Sequence, residues 1–218
     1  NEMIEVYKEA MDFLKKGDSL FASKKFAEAE TLFPQSTWAS KASIMSAYAL
    51  YTLNFYSEAI FNLERHIKVY PTDRNLAYAH YLIAICYFEQ ILDEKKDLKP
   101  LLLAKDKFEF ILVNYPDTDY AIDGKYKIDL IIDQLAAKEM YIGRYYMQVE
   151  KWIGAINRFK KVVKEYDKTI YVEEALHRLV EIYYKIGLED EAKKTAALLG
   201  YNYQSGDWYK NSYKIFNK

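Results

Sequence analysis

Apolar residues recur along this chain at the three- and four-residue intervals that mark one face of an α-helix, and the same punctuated pattern returns several times. Phe55-Tyr56-Ser57-Glu58-Ala59-Ile60 opens a helix that continues through Leu63, Ile67 and Val69 and stops at Tyr70-Pro71. Ala104, Phe108, Ile111 and Tyr115-Pro116 follow at matching offsets, as do Ala155, Phe159, Val162 and Tyr166-Asp167. A shorter version starts at Phe26-Ala27-Glu28-Ala29 and ends at Phe33-Pro34, and Gly187-Leu188 with Ala192, Ala196 and Leu199 gives a fifth. Each part has a physical task. The alanine lets two helix backbones approach, the large residue four positions later fills the groove between them, and proline cannot continue a helix.

Between these anchors lie helices of a second set, predicted at about 38–53, 75–92, 119–149 and 171–186, with apolar residues at helical spacing such as Ile128, Ile131, Ile132, Leu135 and Ala136. Alternation of the two sets predicts an all-α, tetratricopeptide-repeat-like superhelix of about five helix pairs. Stacked pairs of this kind bury a core only against their neighbours and leave a long concave surface suited to peptides. The anchors Ala29, Ala59, Ala104, Ala155 and Ala192 are unevenly spaced against the ideal of about 34 residues. The surplus before Ala104 falls in Asp93-Glu94-Lys95-Lys96-Asp97, read as a solvated loop or helix extension. The surplus before Ala155 reads as one long helix capped by Asp117, Thr118 or Asp119, the alternative being a break near Gly143.

Composition supports helices. Hydrophobic residues make up 51% of 218, with only four prolines and seven glycines. Lys+Arg and Asp+Glu nearly cancel to a net charge of −1, without the basic surplus that a nucleic-acid partner requires. The 22 tyrosines offer large rigid faces with one polar tip, suited equally to repeat cores and to protein contacts. Cys86, the lone cysteine, lies among Ile83, Ile85 and Tyr87 and reads as a buried small hydrophobe. No apolar run reaches the length of a membrane-spanning helix. Asn1 stands where Met would begin a chain, so an upstream signal or lipid-attachment segment is an open expectation.

Catalytic and metal chemistry lacks its defining residues. There is no GxGxxG, GxxxxGK[ST], HExxH or GxSxG run, and His66, His80 and His177 stand apart. Adjacent acids such as Glu173-Glu174 point in different directions on a helix and read as solvated faces. The expectation is a binding protein with no enzymatic activity, cofactor or metal.

From residue 114 onward the chain resembles a particular family. Asn114-Tyr115-Pro116-Asp117-Thr118-Asp119-Tyr120-Ala121, then Leu135-Ala136-Ala137-Lys138-Glu139-Met140, Gly143-Arg144-Tyr145-Tyr146, Trp152, Ala155-Ile156-Asn157-Arg158-Phe159 and Glu173-Glu174-Ala175-Leu176 are similar to BamD proteins of the outer-membrane β-barrel assembly machinery. The ending Leu199-Gly200-Tyr201-Asn202-Tyr203 with Trp208-Tyr209 resembles the family's alphaproteobacterial members, and Asn1-Glu2 leading to Tyr7 resembles the segment after its lipidated cysteine. Two features depart from the pattern: Pro34 makes the first repeat's second helix look short, and the lipid-bearing cysteine is absent.

The resemblance implies an outer-membrane assembly factor on the periplasmic face, anchored only through an N-terminal lipid absent from this chain. Its implied partners are a BamA-like barrel protein, unfolded outer-membrane protein clients and accessory lipoproteins. N-terminal repeats 1–3, residues 1–116, would face clients; repeats 4–5 and the aromatic tail, 117–218, would dock the partner. Arg158 matches the family arginine that pairs with an acid of the BamA-like subunit, a task its planar fork suits, with Asn157, Arg144, Trp208 and Tyr209 as further docking candidates. A local pair between Arg158 and Glu165 or another acid is the competing assignment. Outer-membrane proteins end in an aromatic-bearing strand and a free carboxylate, so a receptor needs apolar slots and a cation. Tyr48, Tyr51, Tyr78 and Tyr81 supply the slots, and Arg65 and Lys68 the charge. Two other readings stand beside this one: a generic tetratricopeptide co-chaperone or adaptor, for which the helix at 38–53 offers only Lys41, and a self-assembling scaffold joined through the tail, which could instead cap the last repeat.

Overall fold

In the computed structural model, which describes residues 2–90, 98–204 and 206–216, the periodic segments form eleven α-helices and, among the described residues, no strand. They are α1 Glu2–Lys15, α2 Ser19–Leu32, α3 Ala39–Thr52, α4 Tyr56–Val69, α5 Leu76–Glu89, α6 Lys99–Asn114, α7 Asp119–Gln148, α8 Trp152–Glu165, α9 Val172–Lys185, α10 Glu189–Asn202 and α11 Asp207–Phe216. The odd-numbered helices up to α9 each pair with the even-numbered helix that follows, so the architecture is all-α and tetratricopeptide-like, with α11 added at the end. The charged stretch 93–97 lies outside the described residues.

The first repeat's register differs from the sequence reading. Its second helix, α2, has 14 residues, as many as α4, α8 and α10. Its small anchor is Ala22 rather than Ala29, because only that choice matches the other repeats. Ala22-Phe26-Ala29, Ala59-Leu63-His66, Ala104-Phe108-Ile111, Ala155-Phe159-Val162 and Ala192-Ala196-Leu199 are all buried at the same offsets. Each series ends on an aromatic residue whose amide bonds back to the third member: Phe33 to Ala29, Tyr70 to His66, Tyr115 to Ile111, Tyr166 to Val162 and Tyr203 to Leu199. Seven residues make almost two helical turns, so Ala22 and Ala29 share a face and either fits the pattern locally.

Four of the tight turns within pairs are built alike. A residue in the left-handed region, Gly17, Asn54, Glu150 or Gly187 (φ 83°, 62°, 56° and 81°), ends one helix. The next amide then bonds five residues back, Asp18 to Phe13, Phe55 to Leu50, Lys151 to Tyr146 and Leu188 to Tyr183, at 2.8 to 3.0 Å. These reversals satisfy carbonyls that the helix end would leave unpaired. At the start of α7 the side-chain oxygen of Thr118 accepts from the Ala121 amide at 3.3 Å, so Thr118 is the cap.

α7 runs unbroken past Gly143, and the crossing explains the glycine. A Cβ there would lie 2.7 Å from Cε1 of Phe159, a fully buried ring of α8. Glycine is required by close approach rather than by a bend.

The backbone gathers into two compact units, residues 1–128 and 129–218. In the first, Phe26, Ala22, Ala29 and Ala42 pack with Tyr7 and Trp38, while Leu63, Ile83, Leu82 and Cys86 pack with Tyr48, Tyr51 and Tyr78. In the second, Phe159, Met140, Val162, Val180 and Ile182 form one cluster and Val172, Leu176 and Leu199 another. Cys86 is fully buried and its thiol is pushed up to about 12 by burial, in keeping with a small hydrophobe rather than a reactive group.

Candidate functional site

The four tyrosines expected to receive a peptide are half-buried in the first unit. Tyr48 and Tyr51, one helical turn apart on α3, lie with ring centroids 6.1 Å apart, and Tyr51 is equally far from Tyr56. Tyr78 and Tyr81 on α5 flank Tyr120 at 5.7 and 5.0 Å, and Tyr81 donates its hydroxyl to Asp123 at 2.8 Å. Burial pushes the hydroxyls of Tyr78 and Tyr81 well above the ordinary tyrosine range, so both remain neutral donors. Tyr48, Tyr51 and Tyr78 pack against the core cluster of Leu63, Leu82 and Ile83 while remaining part-exposed.

Of the two cations expected beside them, Arg65 is engaged within the unit. Its guanidinium grips the nearly buried Glu30 with two bonds of 3.0 and 2.5 Å and also donates to Ser43 at 3.2 Å. Tyr70 donates to the same carboxylate at 2.9 Å, and its hydroxyl is pushed up to about 12 by burial and by Glu30. This network ties α2, α3 and α4 together. Lys68 is exposed on α4.

A cleft at the starts of α3 and α5 was not anticipated. Tyr7, Ile44, Met45 and Tyr78 line a cavity of about 210 Å³ together with Lys41, Arg74 and Asn75. The last three also line an adjoining polar cavity of about 430 Å³, completed by Thr37, Ser40, Thr72 and Asp73. Trp38 buttresses both Tyr7, at 5.1 Å between centroids, and Lys41, whose Nζ lies 4.3 Å from its ring. The lining comes from α1, α3, the turn before α5 and α5 itself, segments that carry no joint signal in sequence.

In the second unit, Arg158 donates to Glu139 at 2.9 Å and Lys161 donates to its other oxygen at 2.8 Å. The carboxylate side chain is 9% exposed, against 37% and 38% for the two cations. Burial opposes ionisation of Glu139, but the bonds from Lys161 and Arg158 outweigh it and hold the carboxyl below its usual range. The local acid is thus Glu139 on α7 rather than Glu165. An acid in the apolar stripe between Ala136 and Met140 was the available sequence signal.

Arg144 grips Glu174 at 2.9 and 2.5 Å, joining α7 to α9, while Asn157 is exposed on α8. Trp208 lies against His177 at 5.1 Å between centroids, with the Arg178 guanidinium 5.3 Å from its own ring. Tyr209 packs so closely on Gly200 that a Cβ there would meet its ring at 2.6 Å. His177 and Ser212 share a buried hydrogen bond of 2.7 Å. The aromatic tail therefore folds as α11 onto α9 and α10, covering the last repeat.

The described residues contain no helix long and apolar enough to cross a membrane, and no cluster of three or more His, Cys, Asp or Glu placed to hold a metal ion. The family model of the outer membrane lipoprotein YfiO matches residues 1–198. The chain is 42% identical to the outer membrane protein assembly factor BamD of Caulobacter vibrioides, with 97% of this chain and 70% of that protein covered. Identity to the BamD of Rickettsia prowazekii is 40%, with coverages of 96% and 84%, and to that of Neisseria meningitidis serogroup A 29%, with 96% and 82%. A solved tetratricopeptide-repeat protein of Thermus thermophilus aligns at 15% identity and a TM-score of 0.45, covering 99% of this chain and 100% of that one.

Proposed function

The chain belongs to the BamD family of outer membrane protein assembly factors, and on that footing we propose that it works as a non-catalytic scaffold joining a barrel-forming subunit to its unfolded clients. It acts at the periplasmic face of the outer membrane, held there by a lipid attached upstream of residue 1. The second unit docks on the periplasmic domains of a BamA-like protein, with accessory lipoproteins as further partners. The first unit receives outer-membrane protein segments on Tyr48, Tyr51, Tyr78 and Tyr81, with Lys68 alongside and Arg65 holding the helices in register through Glu30.

One observation carries the docking assignment: two half-exposed cations share the single, nearly buried carboxylate of Glu139. Lys161 can keep Glu139 neutralised while Arg158 turns toward a carboxylate of the partner, so docking need not strand a buried charge. Asn157 and Arg144 sit on the same two helices, and Trp208 and Tyr209 extend the surface at α11. Affinity isolation of the tagged chain from native envelopes is expected to recover the barrel-forming subunit, and Arg158→Ala to reduce that recovery several-fold with helical content unchanged. Full recovery by the Arg158→Ala variant would refute the role given to this arginine.

A further inference from the structure

We propose that the first unit is an acid-sensitive element: mild acidification loosens α4 and α5 while the second unit keeps its fold, because two histidines of the first unit hold buried ring nitrogens where an added proton finds no acceptor. The inference goes beyond the docking and client assignments. Only its consequence for clients rests on the client-binding reading.

Among the described residues, the buried side-chain polar atoms without a hydrogen-bond partner are Nδ1 and Nε2 of His66 and Nδ1 of His80, and all belong to the first unit. His66 is fully enclosed, at the place in its repeat where Ala29, Ile111, Val162 and Leu199 stand in the others. The charged groups around it are Glu30 of α2, Asp73 in the turn before α5 and its neighbour Arg65. Both carboxylates are already taken. Arg65 and Tyr70 hold Glu30, while Ser40 and the Asn75 amide hold Asp73. His80 packs its ring against Phe110 and Tyr115, at 4.6 and 5.9 Å between centroids, and the charge that faces it is the ammonium of Lys107 on α6.

A proton on either ring therefore costs more in the closed unit than in an open one. Burial lowers the pKa of both, and Lys107 adds to the effect at His80. A histidine whose folded pKa is depressed leaves stability intact above its ordinary value near 6.5 and removes it as pH falls below, because the open chain takes up the proton first. Between pH 7.5 and 5.5 each such histidine raises the opening constant by up to about tenfold, and the pair by up to about a hundredfold. The carboxyls of Asp73, Glu139, Glu174 and Glu181 are held below their usual range and stay ionised throughout this window. The second unit lacks the same weakness. His177 has Oγ of Ser212 2.7 Å from Nδ1 and the carboxylate of Glu181 3.4 Å from Nε2, a carboxylate that Arg178 also bonds. A positive ring there meets a negative partner already in place. His80 stands between Tyr78 and Tyr81 on α5, so opening of that helix disperses the tyrosine surface and loosens its grip on clients in acid.

The test is hydrogen exchange of the full chain, followed by mass spectrometry at pH 7.5 and 5.5 and corrected for the intrinsic pH dependence of amide exchange. Protection in α4 and α5 is expected to fall by at least about tenfold between the two, and in α8 and α9 by less than about threefold. His66→Leu and His80→Phe keep apolar packing at each site. Each should remove most of one histidine's share of the fall, and together they should make the two units respond alike. A uniform fall across both units of the unaltered chain, or a fall in α4 and α5 that persists in the His66→Leu/His80→Phe chain, overturns the inference. A peptide of alternating polar and apolar residues, added at pH 5.5, should restore protection in α5 by binding the closed form. If acid opens the first unit and the peptide restores nothing, acid sensitivity stands and the client-binding reading fails.

Discussion

Removing Arg158 and Lys161 singly and together should produce losses of stability that do not add. The two side chains reach Glu139 at 2.9 and 2.8 Å while remaining 37% and 38% exposed, so solvent screens each pair. A pair of this kind contributes up to about 1 kcal/mol. Either single alanine variant leaves the other cation in place and should cost about 0.5–1 kcal/mol, a fall in Tm of about 1–4 °C for a chain of this length. The double variant strands a carboxylate that is only 9% exposed. Breaking a fully buried pair costs about 3–5 kcal/mol, and the residual exposure here reduces that to roughly 2–4. The double loss should exceed the sum of the single ones by about 1–2 kcal/mol. Urea denaturation followed by far-UV circular dichroism, at neutral pH where Glu139 is ionised, gives all four stabilities of the cycle. Additive losses would show that Lys161 does not stand in for Arg158 at Glu139, and the exchange on which docking is argued would fail with it. The sign of the cycle bears on function because a partner's carboxylate that draws Arg158 away reproduces the single variant, not the double one.

Gly143→Ala pits helix propensity against packing: the extra methyl favours the helix by about 1 kcal/mol, yet it would lie 2.7 Å from Cε1 of Phe159, which has no free space. Overpacking of this kind costs about 1–3 kcal/mol, so thermal melts should show net destabilisation that disappears in a Phe159→Leu background; a variant more stable than the parent in the unaltered background would contradict the close crossing. His66 is fully buried, and neither ring nitrogen has a hydrogen-bond partner among the described residues. Burial lowers its pKa, so the unfolded chain takes up the proton more readily, and stability is full above about pH 6.5 and declines below it by at most ~1.4 kcal/mol per unit. His66→Leu, which places there the residue that Leu199 provides in the last repeat, should be more stable and show a shallower loss between neutral pH and about pH 5.5; an unchanged slope in denaturation midpoints would exclude His66 as its source.

Helix positions and pairing could be read from the chain because the helical repeat is a local property, set by residues three and four apart. The segments expected at about 38–53, 75–92, 119–149 and 171–186 are α3, α5, α7 and α9 to within a residue or a few at each end. The aromatic residues that close α2, α4 and α6 were likewise visible, since Pro34, Pro71 and Pro116 follow directly behind them, whereas Tyr166 is followed by Asp167. Family resemblance was carried by the same linear wording. The register of the first repeat was ambiguous, because a slip of seven residues keeps a helix face unchanged; only burial of Ala22 with Phe26 distinguishes it from Ala29. Tertiary structure alone decided which cations remain available. Arg65 meets Glu30 across 35 positions and Arg158 meets Glu139 across 19, pairings that depend on how each helix is rotated about its axis against its neighbour. The cleft of Tyr7, Lys41 and Arg74 arises for the same reason: α1, α3 and the turn before α5 bring together side chains that no periodic pattern links, and a pocket is a property of that arrangement rather than of any segment within it.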